Sequence, residues 1–209
     1  MKGITLASGI GLLMAGALSA QETPAVSFNV GGGFVQGVGG SGRRLDTGWN
    51  FNGGVGFNFN PYVGLMGQFD YNQMDINAAT LNSLGFPGGD VNMWSVTLNP
   101  IVHTNPRGPV DVYFIGGGGL YHRRQEFTQP TTSIFTGFDP FFGFYPVAVP
   151  TTQVLTSYSV NKPGVNGGVG LAFGTKWHVK FYAEARYHRM FLGGDRHTDY
   201  LPVTFGLRW

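Results

Sequence analysis

From Trp49 to Asn60 apolar and polar residues alternate without a break. Trp49, Phe51, Gly53, Val55, Phe57 and Phe59 fall on one side, and Asn50, Asn52, Gly54, Gly56, Asn58 and Asn60 on the other. Successive side chains of a strand point to opposite faces, so a period of two that separates rings from amides predicts a strand; a helix would spread the same residues around its surface. The pattern recurs along the chain. Val26 to Gln36 sets Val26, Phe28, Val30, Gly32 and Phe34 against Ser27, Asn29, Gly31 and Gly33. Val63 to Asn72 sets Val63, Leu65, Gly67, Phe69 and Tyr71 against Gly64, Met66, Gln68, Asp70 and Asn72, and Val91 to Val102 sets Trp94, Val96 and Leu98 against Met93, Ser95, Thr97 and Asn99. Val110 to Arg123 is a fifth strand whose faces stay open, because both alternate sets are apolar at one end and glycine in the middle. Gly164 to Phe173, Val179 to His188 and Tyr200 to Trp209 complete the set, and in the last of them Leu201, Val203, Phe205, Leu207 and Trp209 share one face.

Eight strands is an even number, as a closed antiparallel barrel of this kind requires. The links alternate in length. Asn60-Pro61, His103 to Pro109 and Gly174 to His178 are short, and Asn60-Pro61 makes a hairpin of the second and third strands. The other links are longer, the largest being Arg124 to Pro163. The expected fold is therefore all-β: an eight-stranded antiparallel barrel with short turns at one rim, long loops at the other, and both termini on the short-turn side.

Composition decides what surrounds this barrel. Charged residues make up 11% of the chain, against roughly 25% in soluble proteins, which is too few to coat a solvated surface. A water-soluble barrel with an apolar interior would also show Lys and Glu on its polar faces, whereas here those faces carry Asn, Ser, Thr and Gly, small enough to fill a narrow lumen. The apolar faces therefore point to lipid, and a closed barrel satisfies all its backbone groups there. Trp49, Tyr62, Trp94, Tyr121, Trp177, Tyr200 and Trp209 lie near strand ends, where an aromatic girdle is expected. Residues 1–20, with Lys2, an apolar stretch from Ile4 to Ala17 and small residues at Leu18-Ser19-Ala20, have the form of a secretory signal peptide, leaving one domain over residues 21–209. No segment is apolar for long enough to be a transmembrane helix. The net charge of +2 comes from scattered residues, which excludes a nucleic-acid partner, and with no cysteine there is no disulfide or zinc-thiolate chemistry.

Two runs carry a resemblance: Glu184-Ala185-Arg186-Tyr187 in the seventh strand and Val203-Thr204-Phe205-Gly206-Leu207-Arg208-Trp209 at the end. The chain resembles small bacterial outer-membrane β-barrel proteins of the OmpA/OmpX-like superfamily from about Ala25 to Trp209. That likeness implies the bacterial cell outer membrane as location. It implies outer-membrane lipid and lipopolysaccharide, the outer-membrane insertion machinery and periplasmic chaperones as partners, with Phe205, Leu207 and Trp209 as the assembly signal. The chain stops with the barrel, so the peptidoglycan-binding domain of larger OmpA-type proteins is not expected.

Candidate chemistry is sparse, and no cofactor or metal is implied. Lys180, Glu184 and Arg186 share one face of the seventh strand, with Arg208 on the neighbouring strand and Asp70 across the lumen. Charges in a low-dielectric tube must be paired, so an ion-pair plug is the leading reading and a conducting polar path the alternative. His122, His188 and His197 are placed at the extracellular rim with Asp195 and Asp199, but at no metal-ligand spacing. Gly37 to Gly42 spells GxGxxG without the following helix that a phosphate site needs. In the longest link Phe135, Phe138, Phe141, Phe142, Phe144 and Tyr145 crowd between Pro140, Pro146 and Pro150. Such a loop is expected to fold over the barrel mouth, rest on lipopolysaccharide, or dock an extracellular partner. The expected function is a non-enzymatic structural or surface-interaction role. A narrow porin or a carrier for small or hydrophobic solutes is the alternative, and a lipid-modifying enzyme comes third.

Overall fold

The computed structural model describes residues 25–174 and 179–209; the signal-peptide segment and Trp177 lie outside them. Its strands are β1 (Val26–Gly37), β2 (Gly48–Asn58), β3 (Val63–Asp75), β4 (Gly88–His103), β5 (Val110–Asp139), β6 (Gly143–Gly174), β7 (Lys180–Gly193) and β8 (Arg196–Arg208). Each pairs antiparallel with the next, and β8 pairs with β1 through Phe34↔Val203 and Asn29↔Arg208, closing the barrel. Closure leaves the wall without an open edge, which is what a strand wall in lipid requires.

The wall is inside-out. On β4, Val96 and Leu98 are 52% and 55% exposed, while Ser95 and Asn99 on either side of them are fully buried and Thr97 between them is buried too. Outward apolar residues form a band from Val63 to Tyr71 on β3, Trp94 to Val102 on β4 and Val110 to Leu120 on β5, about the nine to eleven residues with which a tilted strand crosses a bilayer. Aromatic pairs edge it. Trp49 meets Tyr71 at 5.4 Å and Trp94 stacks on His122 at 5.1 Å on the long-loop side, and Trp209 meets Phe28 at 6.1 Å on the other. Tyr121 and Tyr200 do not belong to this girdle: both point into the lumen and are buried. β8 starts earlier than the apolar alternation suggests, so Tyr200 lies within the strand, on the inward parity.

Two connections differ from the sequence expectation. The segment from Arg124 to Pro163 is not a loop: β5 and β6 continue as one paired ribbon, from Gln125↔Tyr158 out to Asp139↔Gly143, with a bulge at Phe127/Thr128. Threonine, valine and aromatics favour extended backbone. Proline fits a two-stranded ladder only where its missing N–H would point away from the partner strand. The pairs Pro130↔Thr152, Thr132↔Pro150 and Thr136↔Pro146 all fall on that one phase. The link between β3 and β4 holds a short helix, α1 (Ala78–Leu84). The Asn77 side chain caps it, accepting from Thr80 N–H at 2.8 Å, and Gly85 ends it in the left-handed region at φ 75°.

Glycine makes room in the lumen where large rings cross it. Gly170 stands opposite Tyr113, and a Cβ there would enter the Tyr113 ring. Gly170→Val is therefore expected to cost about 1–3 kcal/mol through overpacking, read as a lower urea midpoint of the refolded barrel. Gly167→Val, at an outward position with open space, is expected to leave the midpoint within about 0.5 kcal/mol of wild type.

Candidate functional site

Inward side chains stack in three layers. Nearest the short turns lie Met66, Ile101, Tyr113, Ile115, Ala172 and Tyr182. Nearest the long loops lie Val35, Met74, Ile76, Val91, Met93, Tyr121, Met190 and Tyr200. Between them is a buried polar layer. Arg186 pairs directly with Glu184 and donates from Nη2 to Gln68 Oε1 at 2.9 Å, while Tyr113 Oη donates to Glu184 Oε2 at 2.9 Å. Asn166 donates to Asn99 Oδ1 at 2.9 Å, and Asn99 in turn to Thr97 Oγ1 at 2.9 Å. These bonds run across the tube, since Gln68 and Arg186 are 118 residues apart.

The charged candidates separate into different roles. Glu184 and Arg186, two residues apart on one strand face, form the central pair. Asp70 reaches it through Gln68, whose Nε2 donates to Asp70 Oδ1 at 3.4 Å. Arg208 sits lower, its guanidinium carbon 4.5 Å from the Tyr113 ring centre and 5.3 Å from that of Tyr182, a cation held by ring faces. Lys180 leaves the lumen network and donates to the Pro106 carbonyl at 2.8 Å, tying β7 to the turn between β4 and β5. That turn is also held by Asp111, which meets His103 Nδ1 at 2.5 Å and accepts from Asn105 N–H at 2.9 Å. Sequence reading missed Gln68, Tyr113 and Tyr182 as partners, because neutral residues on an inward face look like filling until the tube closes.

The rim histidines also separate. His188 is not at the rim: it is fully buried, stacked on Tyr200 at 4.9 Å and bonded to Tyr121 Oη at 3.2 Å. The longer course of β7, to Gly193, carries it down into the lumen. His122 faces outward against Trp94. His197 lies at the start of β8 with Nε2 3.1 Å from Asp199 Oδ2 and Nδ1 3.2 Å from the Asp195 carbonyl. Ser41 comes close to this pair, but its Oγ accepts from Asp199 N–H at 3.4 Å and both ring nitrogens of His197 are already engaged. Among the described residues no three His, Cys, Asp or Glu side chains gather where a metal could sit.

Above the membrane the β5–β6 ribbon runs on alone. Its pairing with β4 ends at Gly88↔Thr128, and the remaining strand reaches on the order of 40 Å further at ~3.3 Å per residue. The aromatic residues therefore do not fold over the mouth. Asp139 Oδ1 accepts from Phe141 and Phe142 N–H at 2.7 and 3.1 Å and Gly143 takes φ 78°, which shapes the tip turn. Phe138 and Phe144 meet across it at 5.1 Å, while Phe141 and Phe142 are 89% and 86% exposed. Phe135 and Tyr145 lie lower on the ribbon and are also exposed. Between residues 127 and 161 the one charged residue is Asp139.

An inside-out wall of eight strands around a filled, hydrogen-bonded lumen defines a transmembrane β-barrel of the bacterial outer membrane. The chain belongs to the outer membrane protein beta-barrel domain family, whose model matches residues 8–208. Its fold is similar to that of Neisserial surface protein A (TM-score 0.55, 13% identity, covering 88% of this chain and 96% of that one). It is similar also to a major outer membrane protein from Thermus thermophilus (0.50, 11%, 88% and 99%). The attachment invasion locus protein Ail of Yersinia pestis aligns at TM-score 0.47 and 18% identity over 88% of this chain and 97% of its own. Comparison with curated proteins gives no match.

Proposed function

We propose that this protein is a closed, non-enzymatic barrel that holds an aromatic hairpin away from the outer membrane as a surface-interaction element. The observation that carries this reading is the ribbon itself. It is paired to its tip, bears one charge over its distal length, and ends in two phenylalanines more exposed than any lipid-facing phenylalanine of the wall. Solvent-exposed aromatic surface of this kind is costly to keep unless something covers it. Prolines on the outward phase of the ribbon remove edge donors, so recognition runs through its faces and tip and not through strand addition.

The barrel serves as the mount. Layers of Met, Tyr and Ile above and below the Glu184–Arg186 centre support a plug in place of a conducting path. The engaged nitrogens of His197 argue against a serine hydrolase at the rim. In assembly, Phe205, Leu207 and Trp209 on the outward face of the closing strand are the residues we assign to contact with the insertion machinery, after delivery by periplasmic chaperones. Lipopolysaccharide surrounds the ribbon where it leaves the membrane.

Planar-bilayer recording of the refolded, heat-modifiable protein tests the closed state. No channel events are expected from wild type or from Glu184→Gln. Reproducible ion-selective steps that change in the variant would replace this reading with the porin one.

A further inference from the structure

At the long-loop mouth a cavity of about 740 Å³ opens above the methionine and tyrosine layer. Its wall comes from four places in the chain: the β1–β2 connection, the α1 segment, the upper ends of β4 and β5, and the hairpin where β7 turns into β8. The floor and sides are apolar, with Leu45, Ile76, Leu84, Val91 and Leu192. The size falls in the range of ~300–1,000 Å³ usual for sites that hold small organic molecules.

The polar lining is unevenly charged. Arg44, Arg123 and Arg196 face the cavity together with Asp195 and Asp199. Asp199 is already held by a two-bond contact with Arg189, at 2.9 and 3.0 Å, and by His197. Among the described residues none of the three cavity arginines makes an ion pair. Arg123 is the most informative of them. It is half-buried, sits on the inward parity of β5, donates from Nη1 to Thr198 Oγ1 at 2.9 Å, and has a buried Nε with no partner. A guanidinium positioned by one hydroxyl, walled by leucine and isoleucine and lacking a carboxylate is an incomplete arrangement. An anionic head group would complete it.

We propose that this vestibule binds a small amphiphilic organic anion. Its carboxylate or sulfonate is taken by Arg123 with Arg44 or Arg196, and its apolar body lies on Leu45, Ile76, Val91 and Leu192. The site is separate from the hairpin tip and does not rest on the surface-interaction reading. An apolar body without the anion leaves Arg123 unpaired, and an inorganic anion without the body leaves the floor wet, so both parts are needed for tight binding.

The test is calorimetric titration of 2-naphthoate into the full mature barrel in nanodiscs, with empty discs subtracted. Binding to wild type is expected, with at least tenfold weaker affinity in Arg123→Gln, which keeps a donor for Thr198 and removes the charge. Arg124→Gln makes the same charge change on the outward face and is expected to stay within twofold of wild type; heat-modifiable migration of each variant verifies the fold. Equal affinity of wild type and Arg123→Gln overturns the proposal, as does equal affinity for 2-naphthalenemethanol or full displacement by inorganic sulfate. Repeating the titration in discs containing lipopolysaccharide separates two sources of the same chemistry. Competition assigns the anion to the envelope's own lipid, and undiminished binding assigns it to a soluble solute.

Discussion

Glu184→Ala is expected to destabilise the barrel by about 3–5 kcal/mol, because it breaks a buried ion pair from one side and leaves the other charge in place. Arg186 is 2% exposed, and with Glu184 gone its protein acceptor among the described bonds is the Gln68 amide. Tyr113 Oη loses its acceptor in the same step. Glu184→Gln keeps an oxygen for Tyr113 and is expected to cost roughly half as much, the hydrogen bond surviving while the charge pairing does not. The double variant Glu184→Leu, Arg186→Met removes both charges with little change in volume and is expected to recover most of the loss, as apolar replacement of whole buried pairs often does. Urea titration of the refolded protein, followed by tryptophan fluorescence, measures all three. A loss below about 1 kcal/mol for the single alanine variant would mean that water reaches Arg186 and that the layer does not plug the lumen.

The wall of this barrel is legible in the sequence because lipid and lumen demand opposite chemistry at every second residue. Trp49 to Asn60 states that demand so plainly that face, strand and membrane follow together. Where the demand lapses, the pattern falls silent. The faces of β5 around Gly116 to Gly119 stay open until Tyr113 and Tyr121 are seen inside. Beyond Thr128 both faces of the ribbon meet solvent, no polarity alternates, and a paired strand reads like a loop. His188 and Tyr200 read as rim or girdle residues because the apolar pattern stops short of the strands, which run on to Gly193 and begin at Arg196.

The candidate sites divide along the same line. Glu184 and Arg186, two apart on one strand, can be paired from spacing alone, since i and i+2 share a face. Asp70 and Arg208 cannot be ranked that way, because their distances from that pair depend on barrel register and not on sequence separation. Lys180 is drawn outward by the Pro106 carbonyl, a partner no side-chain pattern reveals. The vestibule arginines show the limit most clearly: Arg44 in the β1–β2 connection, Arg123 on β5 and Arg196 at the start of β8 are distant in sequence and meet only once β8 has closed on β1.

Excising Pro130 to Thr152 and joining Gln129 to Gln153 through an Asn-Gly turn is expected to separate mount from probe. Gln129 and Gln153 already face each other in the ladder, on the hydrogen-bonding phase opposite to the prolines, and a two-residue turn of this type fits the twist of a hairpin. The cut spares Phe127 and Val160, which pack against the upper lumen cluster. It removes strand that pairs only with itself, so the unfolding free energy is expected to stay within about 1 kcal/mol of wild type. Attachment is expected to behave differently. Cells displaying the wild-type protein should adhere to octyl-coated beads at least tenfold better than cells displaying the shortened form. Phe141→Ser with Phe142→Ser should reproduce most of that loss, since those two rings carry the greatest exposure in the ribbon. If the shortened protein lost its heat-modifiable fold, the ribbon would be a structural part of the barrel and the division into mount and probe would fail. If it folded and adhered as before, the tip would not be the contact surface, and the interaction would have to be sought on the connections that ring the vestibule.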